Sequence, residues 1–169
     1  MKTLYLVRHA KSSWKNADLG DMKRPLNARG KNDAPKMGKM LKKRKEFPEL
    51  IISSPAKRAM DTAKKIAKEL KYASRKIKKN EMLYMADIEE YDNIIKKVKK
   101  SIKRLMLVSH NFGLTLFANY LTGRDLVNIP TAGIVRIDFN ITKWKEIKNA
   151  KGELGFFIYP KMENRTNGI

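Results

Sequence analysis

Apolar positions along the chain follow two periods. Lys2 to Val7, Leu50 to Ser53 and Leu105 to Ser109 are short, nearly continuous apolar runs that each give way to polar residues. Runs of this length, rich in branched side chains, suit strands covered on both faces, as in parallel sheets. Gly133 to Phe139 alternates instead, predicting a half-buried strand, and Leu154 to Tyr159 reads as a last strand.

Helical spacing fills the intervals. Asn27 is placed to cap a helix whose narrow stripe is Ala34, Met37, Met40 and Leu41, running to about Lys45 with a kink or an early end at Pro35. Ser54 followed by Pro55 predicts the start of a second helix, with Ala56, Ala59, Met60, Ala63, Ile66, Ala67 and Leu70 on its apolar face. Residues 71–104 are lysine-rich, with an extended piece at Glu81 to Tyr84 and a surface helix from Ile88 to about Lys100. Asn111 is placed to cap a helix carrying Leu114, Phe117, Ala118 and Leu121, which Gly123 closes. Residues 10–26 form a polar loop in which Trp14 and Leu19 are the candidate anchors. Helices between successive strands predict βαβ units, with a parallel core and an antiparallel edge.

At 169 residues the chain is read as a single domain, 1–169, large enough to bury roughly two thirds of its unfolded surface. Cysteine is absent, which removes thiol chemistry and disulfides and leaves His9 and His110 as the sole imidazoles; neither metal nor cofactor is expected. With no signal-peptide pattern and no membrane-length apolar run, a cytoplasmic protein without membrane contact is expected. The sequons at Asn140-Ile-Thr142 and Asn164-Arg-Thr166 would then stay unmodified. The 38 basic residues exceed the 17 acidic ones by 21, so anions of any kind would be drawn to the surface. Twenty-eight of the 38 are Lys, whereas planar readout of bases or phosphates favours Arg. The Lys42-Lys43-Arg44-Lys45 cluster suits the negative end of a helix dipole, and nucleic acid is not an expected partner.

Three predicted strand ends converge on one sheet edge, where open α/β sheets bind ligands. They carry Arg8-His9, then the Ser54-led helix with Lys57 and Arg58 in its first turn, then His110. Cations in a first turn oppose the helix dipole, a conflict that a bound anion would relieve. Two imidazoles, two guanidiniums and a helix N-terminus are what a phosphoryl group needs if an imidazole is to attack phosphorus.

Leu6-Val7-Arg8-His9-Ala10 resembles the signature of the histidine phosphatase (phosphoglycerate mutase-like) superfamily. Longer stretches resemble its SixA-type phosphohistidine phosphatase branch: Arg8 to Trp14, Arg24-Pro25-Leu26-Asn27, Arg29-Gly30, Ser53 to Ala59, Val108 to Asn111 and Ile129 to Gly133. The resemblance implies a three-layer α/β/α sandwich with a mostly parallel central sheet and a two-step reaction through a covalent phosphohistidine. His9 matches the nucleophile, Arg8, Arg58 and His110 match the remainder of the phosphate pocket, and Ser12 matches a further phosphate contact. A protonated His110 would add positive charge. Phe112 stands where the family pattern has Pro. For a general acid, Glu81, Asp87, Glu89 and Glu90 compete, with Glu81 and Asp87 nearest the matching place.

The substrate expected from this resemblance is phosphohistidine on a protein, reached through a shallow site, since little chain between Leu70 and Leu105 is left to build a cover. A small phosphorylated metabolite is the alternative substrate, and a non-catalytic basic module binding anions or nucleic acid is the alternative function. A monomer is expected.

Overall fold

The structure, a computed structural model, describes residues 1–165; Thr166 of the second sequon lies outside them. Six strands form one sheet: β1 (Lys2–Arg8), β2 (Leu50–Ser53), β3 (Lys78–Lys79), β4 (Arg104–Ser109), β5 (Ile134–Phe139) and β6 (Glu153–Ile158). Their order is β3-β2-β4-β1-β5-β6. The first four run parallel, while β5 is antiparallel to β1 and β6 antiparallel to β5. This is the parallel core with an antiparallel edge that the spacing of strands and helices predicts.

Alternate residues of each strand point to opposite faces, and both faces are covered. Tyr5, Val7, Ile51, Met106 and Val108 pack under α1 (Ala28–Lys43) and α2 (Lys57–Glu69), against Met37, Leu41, Ala63 and Ile66. Leu4, Leu6, Leu105 and Leu107 pack on the other face under α3 (Ile88–Lys96) and α4 (Gly113–Thr122), against Tyr91, Ile95, Leu114 and Phe117. The result is a three-layer α/β/α sandwich.

Several local expectations change. The helix α1 runs through Pro35 without ending, since burial of Ala34, Met37, Gly38 and Leu41 outweighs one missing backbone bond. Asn27 caps it as expected, accepting from Gly30 N. The helix α2 begins at Lys57, two residues beyond Pro55, and Ser54 is not its N-cap. Glu81 to Leu83 forms a single 3-10 turn instead of an extended piece, and the short strand falls at Lys78–Lys79. The helix α3 stops at Lys96 and buries Tyr91, Ile94 and Ile95, so it is a core helix on its inner side. Asn111 is not the formal cap of α4, but its Oδ1 accepts from Thr115 N at 3.2 Å and Thr115 Oγ1 at 2.7 Å, and Gly123 closes that helix at φ +67°. Trp144 opens a 3-10 segment that the apolar pattern does not predict; its ring is buried and its Nε1–H donates to Ile102 O at 2.7 Å. Among the described residues no helix is long and apolar enough to cross a membrane.

Candidate active site

Strand register builds the centre of the site. Parallel pairing sets Arg8 of β1 opposite Ser109 of β4, so His9 and His110, each the next residue, leave the sheet side by side. Their ring centroids are 5.1 Å apart and their planes inclined by 52°.

The main chain around His9 is tied on every side. Its N–H donates to Ser109 O at 3.0 Å and its carbonyl accepts from Ala132 N at 3.1 Å. Ala10 N donates to Thr62 Oγ1 at 2.9 Å, and that hydroxyl donates to Arg58 O at 2.7 Å, tying the strand end to α2. The ring follows the backbone, with Nδ1 2.7 Å from Ala10 O. A carbonyl only accepts, so Nδ1 carries the proton and Nε2 keeps its lone pair. Burial pushes the His9 pKa down to about 4; the bond to Ala10 O opposes this shift, and the charges of Arg58, Arg8 and Arg24 reinforce it. His9 is neutral at pH 7.

His110 is held by side chains. Its Nε2 lies 2.7 Å from Ser54 Oγ and its Nδ1 3.4 Å from Arg58 Nη2. A guanidinium only donates, so the lone pair is on Nδ1 and the proton on Nε2. Burial, then the neighbouring His9 and Arg58, pushes its pKa down to about 3. The positive charge that a protonated His110 would add is therefore disfavoured here, since burial beside a guanidinium opposes a second cation. The edge of the Tyr84 ring meets it at 5.4 Å. Tyr84 is carried there by the turn before it, because Ser109 Oγ donates to Leu83 O at 2.7 Å.

Arg58 and Arg8 supply the positive charge. Arg58, in the first turn of α2, donates from Nη1 to Asp21 O at 2.7 Å and from Nη2 to Asp21 Oδ2 at 2.9 Å. The conflict between a first-turn cation and the helix dipole is met within the protein, by a carboxylate from the 10–26 loop. Lys57 is likewise paired, with Asp61 at 3.2 Å. Arg8 donates from Nη1 to Ile129 O at 2.9 Å, and its Nε is buried with no protein acceptor among the described residues. An anion placed here would find a donor already stripped of water.

Ser12 joins the same network at one remove. Its hydroxyl accepts from Arg24 Nη2 at 2.6 Å, and Arg24 donates from Nη1 to Asp21 Oδ1 at 2.9 Å. Trp14 does not bury itself as an anchor. It is exposed and lies against the Arg24 guanidinium, whose carbon is 3.2 Å from the ring centre.

The four predicted pocket residues Arg8, His9, Arg58 and His110 are thus gathered at one edge. Among the described residues no hydrogen bond or ion pair ties the candidate acids to that group. Asp87 Oδ1 accepts from Glu90 N at 2.9 Å and Glu90 Oε2 accepts from Asp87 N at 2.9 Å, a reciprocal cap that opens α3. Glu81 and Glu89 are exposed on the first turns of their own elements. The carboxylate at the pocket is Asp21. Against the upward push of its partial burial, hydrogen bonds from Tyr84, Arg24 and Arg58 hold its carboxyl well below the usual carboxylate range, so it accepts and does not supply a proton. Asp21, Arg24, Tyr84 and Thr62 are the participants that sequence reasoning passed over. The Asp21-x-x-Arg24 spacing was a visible signal for one ion pair, but nothing local joins Asp21 to Arg58, 37 residues away.

Among the described residues no group of three or more His, Cys, Asp or Glu could hold a metal ion. The four described surface concavities, the largest of about 710 Å³ between β2, β3 and α3, are lined by none of Arg8, His9, Arg58 or His110.

The sequence profile of the histidine phosphatase superfamily, branch 1, matches residues 4–91. An uncharacterised chloroplastic protein of Arabidopsis thaliana is 28% identical over 163 residues, covering 92% of this chain and 74% of its own length. A crystal structure from Agrobacterium tumefaciens, provisionally assigned as phosphohistidine phosphatase SixA, superposes with a TM-score of 0.81 at 26% identity, covering 94% of this chain and 98% of that one. The protein histidine phosphatase SixA complexed with tungstate also has a TM-score of 0.81, at 18% identity over 95% of this chain and 99% of that one, which speaks to the fold alone.

Proposed function

The chain belongs to the histidine phosphatase superfamily, branch 1, and from that membership and the pocket geometry we propose that it hydrolyses phosphohistidine on a protein, with His9 as nucleophile. The observation that carries this is a neutral imidazole with its free Nε2 among Arg8, Arg58 and His110, beside a buried guanidinium N–H that lacks an acceptor.

In the first step His9 Nε2 forms a bond to phosphorus as the substrate's phosphorus–nitrogen bond breaks. The departing imidazole, protonated on its other ring nitrogen, takes the bonding pair and leaves neutral. The phosphorylated His9 retains its Nδ1 proton on Ala10 O and is itself an imidazolium. In the second step water attacks phosphorus, the bonding pair returns to Nε2, and both water protons remain with the phosphate as a monoanion. Neither step takes a proton from a carboxylic acid, which agrees with Asp21 being locked as an acceptor and with Asp87 serving as a helix cap. Arg8 and Arg58 neutralise the equatorial oxygens, and the His110 N–H now on Ser54 is the third donor within reach. Ser12, steadied by Arg24, is the outer contact.

A protein substrate is favoured over a metabolite because residues 70–104, the stretch in which a cover could be built, are taken up by β3, two 3-10 turns and the core helix α3, and enclosure is what sites for small molecules usually provide. The chain, combined with a phosphohistidine-bearing protein and separately with an aryl phosphate, should acquire acid-labile, base-stable phosphate that His9→Ala does not. Labelling of the His9→Ala variant would remove His9 from this role. Selective hydrolysis of small esters with no action on phosphohistidine would assign a metabolite substrate instead.

A further inference from the structure

Exposed apolar side chains stand close in sequence to the site residues and continue along α4. Phe112 lies two residues past His110, Met85 one past Tyr84, and Val127 beside Asn128, which accepts from Asn111 Nδ2. Their exposures are 55%, 64% and 88%. Leu116 and Tyr120, at 47% and 48%, continue from Phe112 at four-residue intervals along α4.

The segments that carry them are joined. The start of α4 presses so closely on the 84–87 loop that a Cβ on Gly113 would meet Ala86 O at 2.0 Å. Asn119 exchanges two 2.9 Å hydrogen bonds with Leu126, fixing the 124–129 loop against α4. The ten residues of α4 include no charged side chain, in a chain where 33% of residues are charged.

Building on the phosphohistidine reading above, we propose that this face is the docking surface for the substrate protein, and that it receives an apolar stripe on a helix flanked by acidic residues. Three observations select that occupant. The patch begins at Phe112, two residues past His110, so a protein whose phosphoryl group reaches His9 meets its near end. Phe112, Leu116 and Tyr120 form a straight ridge about 12 Å long, and ridges of four-residue spacing seat in the matching grooves of another helix. Finally, a net charge of +21 repels a second copy of this chain and attracts an acidic partner.

The test compares wild type with the charge-neutral double variant Leu116→Gln/Tyr120→Gln, and separately with Val127→Ser. Substrates are a helical phosphotransfer domain phosphorylated on histidine and para-nitrophenyl phosphate, at physiological salt. Loss of two anchors should raise KM for the protein by about tenfold or more, with kcat and the aryl phosphate kinetics unchanged and circular dichroism native. An unchanged KM in both variants, or equal losses on both substrates, overturns the docking surface while leaving the phosphohistidine reading in place. Wild type that cleaves the aryl phosphate and ignores the protein overturns both. A wild-type dimer in sedimentation that the double variant dissociates would assign the face to a second copy and overturn the proposal.

Discussion

His9 and His110 occupy matching places, one residue beyond the ends of two neighbouring parallel strands, yet they are held by opposite means. His9 is fixed by main chain: Ser109 O, Ala132 N and Ala10 O. His110 is fixed by side chains, with Ser54 on one nitrogen, Arg58 on the other and the Tyr84 ring at its edge. A ring oriented by carbonyls keeps its tautomer whatever side chains surround it, which suits a nucleophile. A ring oriented by a guanidinium and a hydroxyl can exchange those partners when an anion arrives, which suits a donor to phosphate.

Arg58 belongs to the side-chain-held half, and its loss should have the largest effect. Arg58→Ala should lower turnover by about a hundred- to a thousandfold while circular dichroism stays native. Near-normal turnover would place Arg58 outside the reaction. Asp21 would keep Arg24 and Tyr84 as partners in that variant.

Acid acts on both rings. Both histidines have folded-state pKa values, about 4 and about 3, below the ordinary 6.5. The acidic limb of kcat/KM should therefore fall near pH 4, set by His9, and a limb at 6.5 would mean that His9 is not buried as described. The same shifts act on stability. Below pH 6.5 the unfolded chain binds more protons than the folded one, so stability is complete above that value and declines as pH falls toward 4 and 3. The decline is at most ~1.4 kcal/mol per pH unit for each histidine, and chemical denaturation across that range would show it.

Smaller effects test the supports of each half. On the His9 side, α1 holds the loop after β1 through a close approach, and a Cβ on Gly30 would meet Lys11 O at 2.1 Å. Gly30→Ala should cost ~1–3 kcal/mol in denaturant unfolding, and a neutral result would show that the loop yields. On the His110 side, Asn111→Ala removes the acceptor of two Thr115 bonds and should cost ~1 kcal/mol, with a smaller kinetic effect than that of Arg58→Ala.

Much of this pocket was legible in the chain. Apolar runs ending in Arg8-His9 and in Ser109-His110 announce buried strands that deliver polar residues to one edge, and the Ser54-Pro55 signal announces a helix that brings Arg58 there. These features are local, since strand period, turn residues and helix stripes act over a few residues. Pro35 shows where local rules stop: its ring argues against a helix that the packing of Met37 and Leu41 carries through.

Sequence alone therefore determined the βαβ pattern with its parallel core and singled out the four residues that the fold gathers at one edge. Only the tertiary structure decided their states. It turned Ser54 from a helix cap into the partner of His110, and it brought Asp21 and Tyr84 to Arg58 from positions 37 and 26 residues away. It also lowered both histidine pKa values by burial and left the α4 face uncovered. Protonation, ion pairing and exposure depend on what packs nearby in space, and neighbours in space are set by the whole fold.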